Sequence, residues 1–283
     1  MPSKEYTTSA VTSTDGTVIG YRQIGAGPGL LLVHGGLQAS QNFTELGKLL
    51  SDEFTVYIPD RRGRGLSGPH GNYSLEAEGE DMQAIIAATG TEYIFGLSSG
   101  AIVTLFTAIH TPSLKKVALY EPPIPVKGSP TTKWYRRYEK QLKKGDLGKA
   151  MVHIMKGTGD FSLFTALPSF ITGPLVNAGL KKREKDAANN VVSLRELIPT
   201  FEYDHIAVQQ SEGIIEKSGG IKANVLLIGG SKSKKFLKLA LRALADALPD
   251  AKLVELKGLG HIAADNSESP DVVAEVLSKF FKG

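Results

Sequence analysis

Cysteine is missing from all 283 residues, so disulfides, thiolate nucleophiles and cysteine-ligated metals are excluded at once. No apolar run approaches membrane-spanning length, and the opening Met-Pro-Ser-Lys-Glu-Tyr carries no hydrophobic core of a secretion signal. A cytoplasmic chain with no membrane partner is therefore expected. Charge of one sign is scarce as well: the net charge is only +4, and acidic residues are interspersed with basic ones. Lys133 to Lys149 is the most basic stretch, but its charges alternate with aromatics at helical spacing. That pattern describes a solvated helix face and not a nucleic-acid site. Internal repeats and low-complexity linkers are absent too. What is left is an ordinary globular composition, long enough for one large α/β domain with an insertion, as a monomer or homodimer.

Periodicity gives the order of elements. Glu5–Thr14 and Thr17–Ile24 are β-rich and flank Asp15-Gly16, a hairpin signal. Leu30–Val33, Phe54–Ile58, Tyr93–Phe95, Val117–Tyr120, Val225–Ile228 and Leu253–Leu256 are short apolar runs, as expected of strands covered on both faces. Helical patterns lie between them at Asn42–Leu50, Leu75–Ala88 (with Ser74 as N-cap), Ala101–Ile109, Lys234–Leu248 and Pro270–Phe281. Alternation after an initial hairpin implies a mostly parallel, eight-stranded sheet wound on both faces. From about Val126 to Ser218 the pattern is helical only, with helices expected over Thr131–Lys144, Leu147–Lys156, Phe161–Ile171 and Asp186–Leu197. We read residues 126–218 as an inserted helical cap and residues 1–125 with 219–283 as the core domain.

The chemistry concentrates at Gly96-Leu97-Ser98-Ser99-Gly100, a G-x-S-x-G element with strand before and helix after. Such a turn is so tight that the residues two before and two after the serine must lack a β-carbon. Ser98 would stand at its apex as a nucleophile, and the helix dipole and Ser99 N–H would face negative charge developing on a substrate oxygen. Further polar strand exits occur at His34-Gly35-Gly36, Asp60, Glu121 and Gly258-Leu259-Gly260-His261. In doubly wound sheets functional groups gather at such carboxyl ends.

With these features in this order the chain resembles the α/β-hydrolase superfamily. The matching segments are His34–Gly36, Asp60–Ser67, the Gly96–Gly100 turn and Gly258–His261, in the order nucleophile, acid, histidine. The resemblance implies a catalytic triad and no cofactor or metal. His261, flanked by glycine after the last strand, suits the general base; His34 belongs to the oxyanion loop, and His70, His110, His153 and His205 fall in loops, helix ends or the cap.

The acid departs from the common pattern. Much of the superfamily places an aspartate after the strand that here is Val225–Ile228, yet this chain has Gly229-Gly-Ser-Lys-Ser-Lys-Lys-Phe236 and no carboxylate between Glu216 and Asp246. Glu121, fixed by Pro122-Pro123 at the end of the preceding strand, takes the role in preference to Asp60 or Asp265, an arrangement similar to certain haloalkane dehalogenases and zearalenone-type lactone hydrolases. Usual dehalogenase and epoxide hydrolase chemistry is disfavoured, because there an aspartate stands where Ser98 is. The oxyanion donors would be Ser99 N–H and Gly36 N–H, with Leu37 as the alternative; a side chain at Gly36 would crowd the substrate carbonyl. Arg61–Arg64 with Asp60 would hold the fold together.

Trp134, Tyr135, Tyr138, Met151, Met155, Phe161, Phe164 and Phe170 are to be divided between cap core and pocket, with Leu37, Trp134, Tyr135 and Met155 the expected substrate-binding residues. The expected activity is that of a serine hydrolase cleaving a moderately apolar small-molecule ester or lactone. Carbon–carbon bond or thioester hydrolysis on the same triad, or a small-molecule receptor on this fold, is the alternative.

Overall fold

Asp15 and Gly16 reverse the chain, Gly16 taking a φ of 85°, and so join β1 (Thr7–Thr12) to β2 (Val18–Ile24) as an antiparallel hairpin. The computed structural model describes residues 5–68, 73–129, 132–159, 163–186 and 191–283. The remaining strands are β3 (Gly29–Val33), β4 (Thr55–Pro59), β5 (Tyr93–Leu97), β6 (Lys116–Tyr120), β7 (Asn224–Gly230) and β8 (Lys252–Leu256). They form one eight-stranded sheet in the order β1-β2-β4-β3-β5-β6-β7-β8, parallel from β4 onward. β3, β5 and β6 are buried over nearly their whole length, which is why they read as unbroken apolar runs.

The helices are α1 (Thr44–Leu50), α2 (Leu75–Thr89), α3 (Ser99–His110), α4 (Tyr135–Lys143), α5 (Leu147–Gly157), α6 (Leu163–Ala166), α7 (Ser169–Asp186), α8 (Leu194–Gln210), α9 (Ile214–Ser218), α10 (Lys235–Ala247) and α11 (Pro270–Lys282). α2 starts at Ser74, whose Oγ accepts the Ala77 N–H at 3.0 Å. One face of the sheet is covered by α2, α3 and α10 through Met82, Ile102, Leu105, Leu241 and Leu244; the other by α1 and α11 through Leu46, Leu50, Val273, Leu277 and Phe281. Burying such side chains is worth about 1.5–3 kcal/mol each.

Between β6 and β7 the described residues form helices and no strand. α4, α5, α7 and α8 share a separate small core of Tyr138, Ala150, Ile154, Leu180 and Ile198. The second half of this insertion is also tied to the sheet, because Ala207 of α8 and Ile214 of α9 belong to the cluster under α3.

Two helices of this region differ from the sequence expectation. The helix expected over Phe161–Ile171 is broken: Phe161 lies outside the described residues, α6 ends at Ala166, and Pro168 separates it from α7. The helix expected over Asp186–Leu197 is interrupted at residues 191–193; residues 187–190 lie outside the described residues, and α8 begins at Leu194 behind a Ser193–Glu196 capping box and continues to Gln210. Pro199 hides this continuity in sequence, since a proline inside a helix removes an i→i−4 hydrogen bond and crowds the carbonyl of residue i−4, yet α8 runs through it.

Candidate active site

The turn after β5 is built by exclusion. A β-carbon at Gly96 would come 2.6 Å from Gly100 O and 2.7 Å from Ala101 Cα, and one at Gly100 would come 2.2 Å from His34 O. Real β-carbons essentially never approach so closely, so both positions require glycine. The apex residue Ser98 sits at φ 57° and ψ −126°, strained for any residue with a side chain. Its N–H is anchored on Tyr120 O at 2.9 Å, and its carbonyl accepts the Ala101 N–H at 2.9 Å to start α3.

β6 ends one residue before Glu121, a second non-glycine residue at positive φ (46°), whose N–H donates to Ile228 O at 3.1 Å. This conformation turns the side chain under β7. The carboxylate is fully buried; Oε1 accepts the Gly230 N–H at 2.6 Å and Oε2 lies 2.8 Å from His261 Nδ1. The other ring nitrogen, Nε2, lies 2.9 Å from Ser98 Oγ. With Nδ1 donating to the carboxylate, Nε2 is the acceptor for the serine hydroxyl. Tyr120 supports the histidine loop by donating its OH to Gly260 O at 2.7 Å, and burial, with Glu121 beside it, raises its phenol so that it stays a donor.

The two other carboxylates weighed for this role are engaged elsewhere. Asp60 accepts Ser40 N–H and Leu66 N–H, stapling the loops after β3 and β4. Asp265 accepts from Gln38, Asn42 and Ser267. A side chain on the β7 exit also has little room: a β-carbon at Gly229 would lie 3.1 Å from Glu121 Oε1, and one at Gly230 would lie 2.4 Å from Leu259 O.

The loop after β3 brings Gly36 and Leu37 to the cavity beside Ser98 and Ser99, with Leu37 at φ 56°. Gly35 N–H is occupied by Gln38 Oε1 at 2.8 Å. A β-carbon at position 36 would meet Asp204 at 3.0 Å and Phe201 at 3.3 Å, so α8 leaves little room for a side chain there. His34 beneath the loop is fully buried, with Nδ1 2.9 Å from Gly35 O and Nε2 accepting the Arg61 N–H. Burial, reinforced by Arg64 and Arg61, holds its pKa well below the ordinary histidine value, so it is a neutral structural ring.

A buried charge cluster underlies both loops. Arg61 pairs with Glu78 through Nε and Nη2 and with Asp204 Oδ1 at 2.8 Å, while Arg64 reaches Asp204 Oδ2 at 2.8 Å. Burial raises the Asp204 carboxyl, but Arg64, Arg61 and the Ser99 hydroxyl outweigh it and hold the group below its usual value. Removing one member strands a buried charge. Arg61→Ala is accordingly expected to lose about 3–5 kcal/mol of stability in urea unfolding; a loss below 1 kcal/mol would mean that the cluster relaxes freely.

Above Ser98 lies a cavity of about 500 Å³, of the size that encloses small organic molecules. Of the expected substrate-binding residues, Leu37 and Trp134 line it, whereas Tyr135 and Met155 do not. Tyr135 stacks on His205 with centroids 3.5 Å apart and packs, partly buried, against the small core of the helical insertion. On α5 it is Ile154, Gly157 and Thr158 that line the cavity, and Met155 points about 100° away from Ile154. Tyr138 is buried in the small core of the helical insertion, donating its OH to Ile198 O, and Phe170 is 68% exposed. Sequence reasoning missed the α8 stripe Phe201, Asp204, His205 and Val208 and the wall formed by Lys234, Phe236 and Leu237. The i, i+3, i+4, i+7 spacing of the former was the available signal. Among the described residues no cluster of acidic or histidine side chains could hold a metal, and no helix is long and apolar enough to cross a membrane.

Comparison with known proteins agrees with this architecture. The alpha/beta hydrolase family matches residues 30–276. An uncharacterized hydrolase of Bacillus subtilis is 33% identical over 38% of this chain, a match that spans only 42% of that relative. The 2-(acetamidomethylene)succinate hydrolase of Mesorhizobium japonicum is 24% identical over 92% of this chain and 90% of its own length. The crystal structure of an alpha/beta hydrolase from Sphaerobacter thermophilus superposes with a TM-score of 0.79 at 30% identity, covering 96% of this chain and 100% of that one. A sheet of this order, a strained serine turn and a family match over most of the length lead to one assignment: the chain belongs to the alpha/beta hydrolase family.

Proposed function

We propose that this hydrolase is a serine acyl hydrolase, with Ser98 as nucleophile, His261 as general base and acid, Glu121 as the orienting carboxylate, and the N–H groups of Ser99 and Gly36 as oxyanion donors. The observation that carries the reading is the continuous chain of contacts from Glu121 Oε2 to His261 Nδ1 (2.8 Å) and from His261 Nε2 to Ser98 Oγ (2.9 Å) at the edge of the cavity that Ser98 and His261 line. Ser98 Oγ adds to the substrate carbonyl as its proton passes to Nε2; the imidazolium then protonates the leaving group as the carbonyl re-forms. Water, deprotonated by the same ring, attacks the acyl-enzyme and releases the acid and Ser98. These steps need neither metal nor cofactor.

The cavity walls are mainly apolar, with Leu37, Trp134, Ile154, Phe201 and Phe236 among them, which favours a moderately apolar ester or lactone. A second reading, hydrolysis of an acylated enamine or a related amide, is favoured by the relative named for 2-(acetamidomethylene)succinate, whose match spans 92% of this chain.

A fluorophosphonate probe tests the reading. It is expected to label the protein once, on the peptide containing Ser98, and to abolish turnover across a panel of p-nitrophenyl esters, lactones, enol-lactones and N-acyl enamines with and without a carboxylate. Tight ligand binding with neither labelling nor turnover would identify a receptor instead and sink the proposal.

A further inference from the structure

The nucleophile and its histidine belong to the sheet domain, yet the segments bearing the oxyanion donors are held from the cap. Asp204 lies on α8, 105 residues beyond Ser99, and is 3% exposed. Its Oδ1 accepts the Ser99 hydroxyl at 2.7 Å and Arg61 Nη1 at 2.8 Å; its Oδ2 accepts Arg64 Nη2 at 2.8 Å. Ser99 Oγ also accepts from Arg61 Nη1 at 3.0 Å, so the hydroxyl is fixed on both sides. From the same guanidinium pair, Arg61 reaches His34 O at 3.5 Å and Arg64 reaches Gly35 O at 3.2 Å, the two carbonyls that precede Gly36. Gly36 itself rests against the Asp204 carboxylate, where a β-carbon would sit a tight 3.0 Å from the carboxylate. Among the described residues these bonds run to Ser99, Arg61 and Arg64, and none runs to Ser98 or His261.

We propose that Asp204 is a positioning residue for the oxyanion hole, setting Ser99 and Gly36 from the cap, so that a seated α8 is a condition of fast acyl transfer. This rests on the serine acyl hydrolase reading above. The charges make the idea separable from simple electrostatics. Arg61 and Arg64 are balanced by Glu78 and Asp204, so neutralising Asp204 leaves one positive charge beside the hole. A field acting without positioning would then stabilise an oxyanion better and raise kcat. Misplaced donors would lower it.

Asp204→Asn keeps the shape and removes the charge. Ser99→Ala leaves Asp204 both arginines and cuts only the link to the nucleophile turn. For p-nitrophenyl butyrate we expect Asp204→Asn to lower kcat about 10–100-fold, below the loss from deleting a whole oxyanion donor, with KM changed less than about threefold. A trifluoromethyl ketone transition-state analogue should weaken by the same factor as kcat, because it alone needs both donors. Ser99→Ala should move in the same direction, by about 3–10-fold, and decides the matter if Asp204→Asn does not fold. The pH dependence of kcat/KM should keep its acidic limb in both variants, since His261 and Glu121 are untouched. Trp134, the one tryptophan, sits with its ring 6.0 Å from Phe201, and its fluorescence reports the seat of α8.

Unchanged or raised kcat in a folded Asp204→Asn, or a rise in KM alone, would overturn the proposal and leave Asp204 a charge partner or a cavity wall. Wild-type protein is labelled with fluorophosphonate beside the variants. Normal wild-type labelling with unaffected variants defeats the positioning role only, whereas an unlabelled wild type defeats the hydrolase reading and this inference with it.

Discussion

Ser98→Ala is expected to fold like the wild type, keep its cavity and lose kcat by about 10⁶-fold, the size of loss seen when a triad serine is removed from a serine hydrolase. The fold should be indifferent, because the strain at position 98 comes from a φ of 57° that alanine shares with serine. Alanine also preserves the two contacts that hold the apex in place, Ser98 N–H to Tyr120 O and Ser98 O to Ala101 N–H, since both are backbone. What disappears is the hydroxyl that lies 2.9 Å from His261 Nε2. Residual turnover of about 10³–10⁴-fold over water should survive through the oxyanion donors and substrate binding. His261→Ala should fall by a similar factor, and the double variant no further, because the two groups act as one unit. The measurement is single-turnover kinetics on a fluorogenic ester at protein concentrations high enough to see slow acylation. Retention of even a hundredth of wild-type kcat in a contaminant-free preparation would mean that another nucleophile performs the reaction.

The serine turn was legible in the sequence because its constraints are local. Gly96 and Gly100 are forced by clashes within a few residues or with the adjacent strand, and the strand–turn–helix context spans fewer than twenty positions. The contact of Glu121 with His261 was foreseen by a different route, through the lack of any carboxylate after β7 and the rigid Pro122-Pro123 behind Glu121. The distance between His261 and Ser98 was readable only as an expectation of topology, since a parallel sheet delivers both residues to one edge. The cap resisted this treatment. α8 carries Glu202, Asp204 and His205 next to a proline, so its buried stripe looks polar and interrupted, yet Asp204 and His205 are both nearly buried. The carboxylate is tolerated there because Arg61 and Arg64 meet it from a loop more than a hundred residues earlier, a pairing that no local pattern announces. Tyr120 is a similar case: an apolar strand position by its pattern, but its OH holds the histidine loop through Gly260 O. Met155 and Tyr135 show the converse error, where large side chains in the right region were assigned to the pocket without knowing which way each helix faces.

Glu121→Gln is expected to lower kcat by about 10⁴-fold with little change in Tm, as the loss of an analogous orienting carboxylate does elsewhere. The size follows from tautomers. The carboxylate is held at both oxygens, Oε1 by Gly230 N–H at 2.6 Å and Oε2 by His261 Nδ1 at 2.8 Å. A glutamine must keep its carbonyl oxygen toward Gly230, because that N–H can only donate, and this turns the amide NH₂ toward the ring. Nδ1 then becomes the acceptor and the proton moves to Nε2. A ring protonated at Nε2 donates to Ser98 and cannot take its proton. The imidazolium formed during attack also loses its buried negative partner, a second penalty of the same sign. Stability should be nearly unaffected, since the amide satisfies Gly230 and fills the same volume in a fully buried site. Glu121→Asp offers a contrast: it keeps the charge at a positive φ that aspartate tolerates well, but retracts the carboxylate by one methylene, so it cannot meet Gly230 and His261 together. It should therefore recover part of the activity that glutamine loses while being the less stable of the two. Stopped-flow acylation with active-site titration, alongside thermal unfolding of both variants, separates the two effects. If Glu121→Gln turns over at the wild-type rate, the orienting acid lies elsewhere, and Asp265, two bonds removed from the oxyanion loop through Gln38, is the next carboxylate to replace.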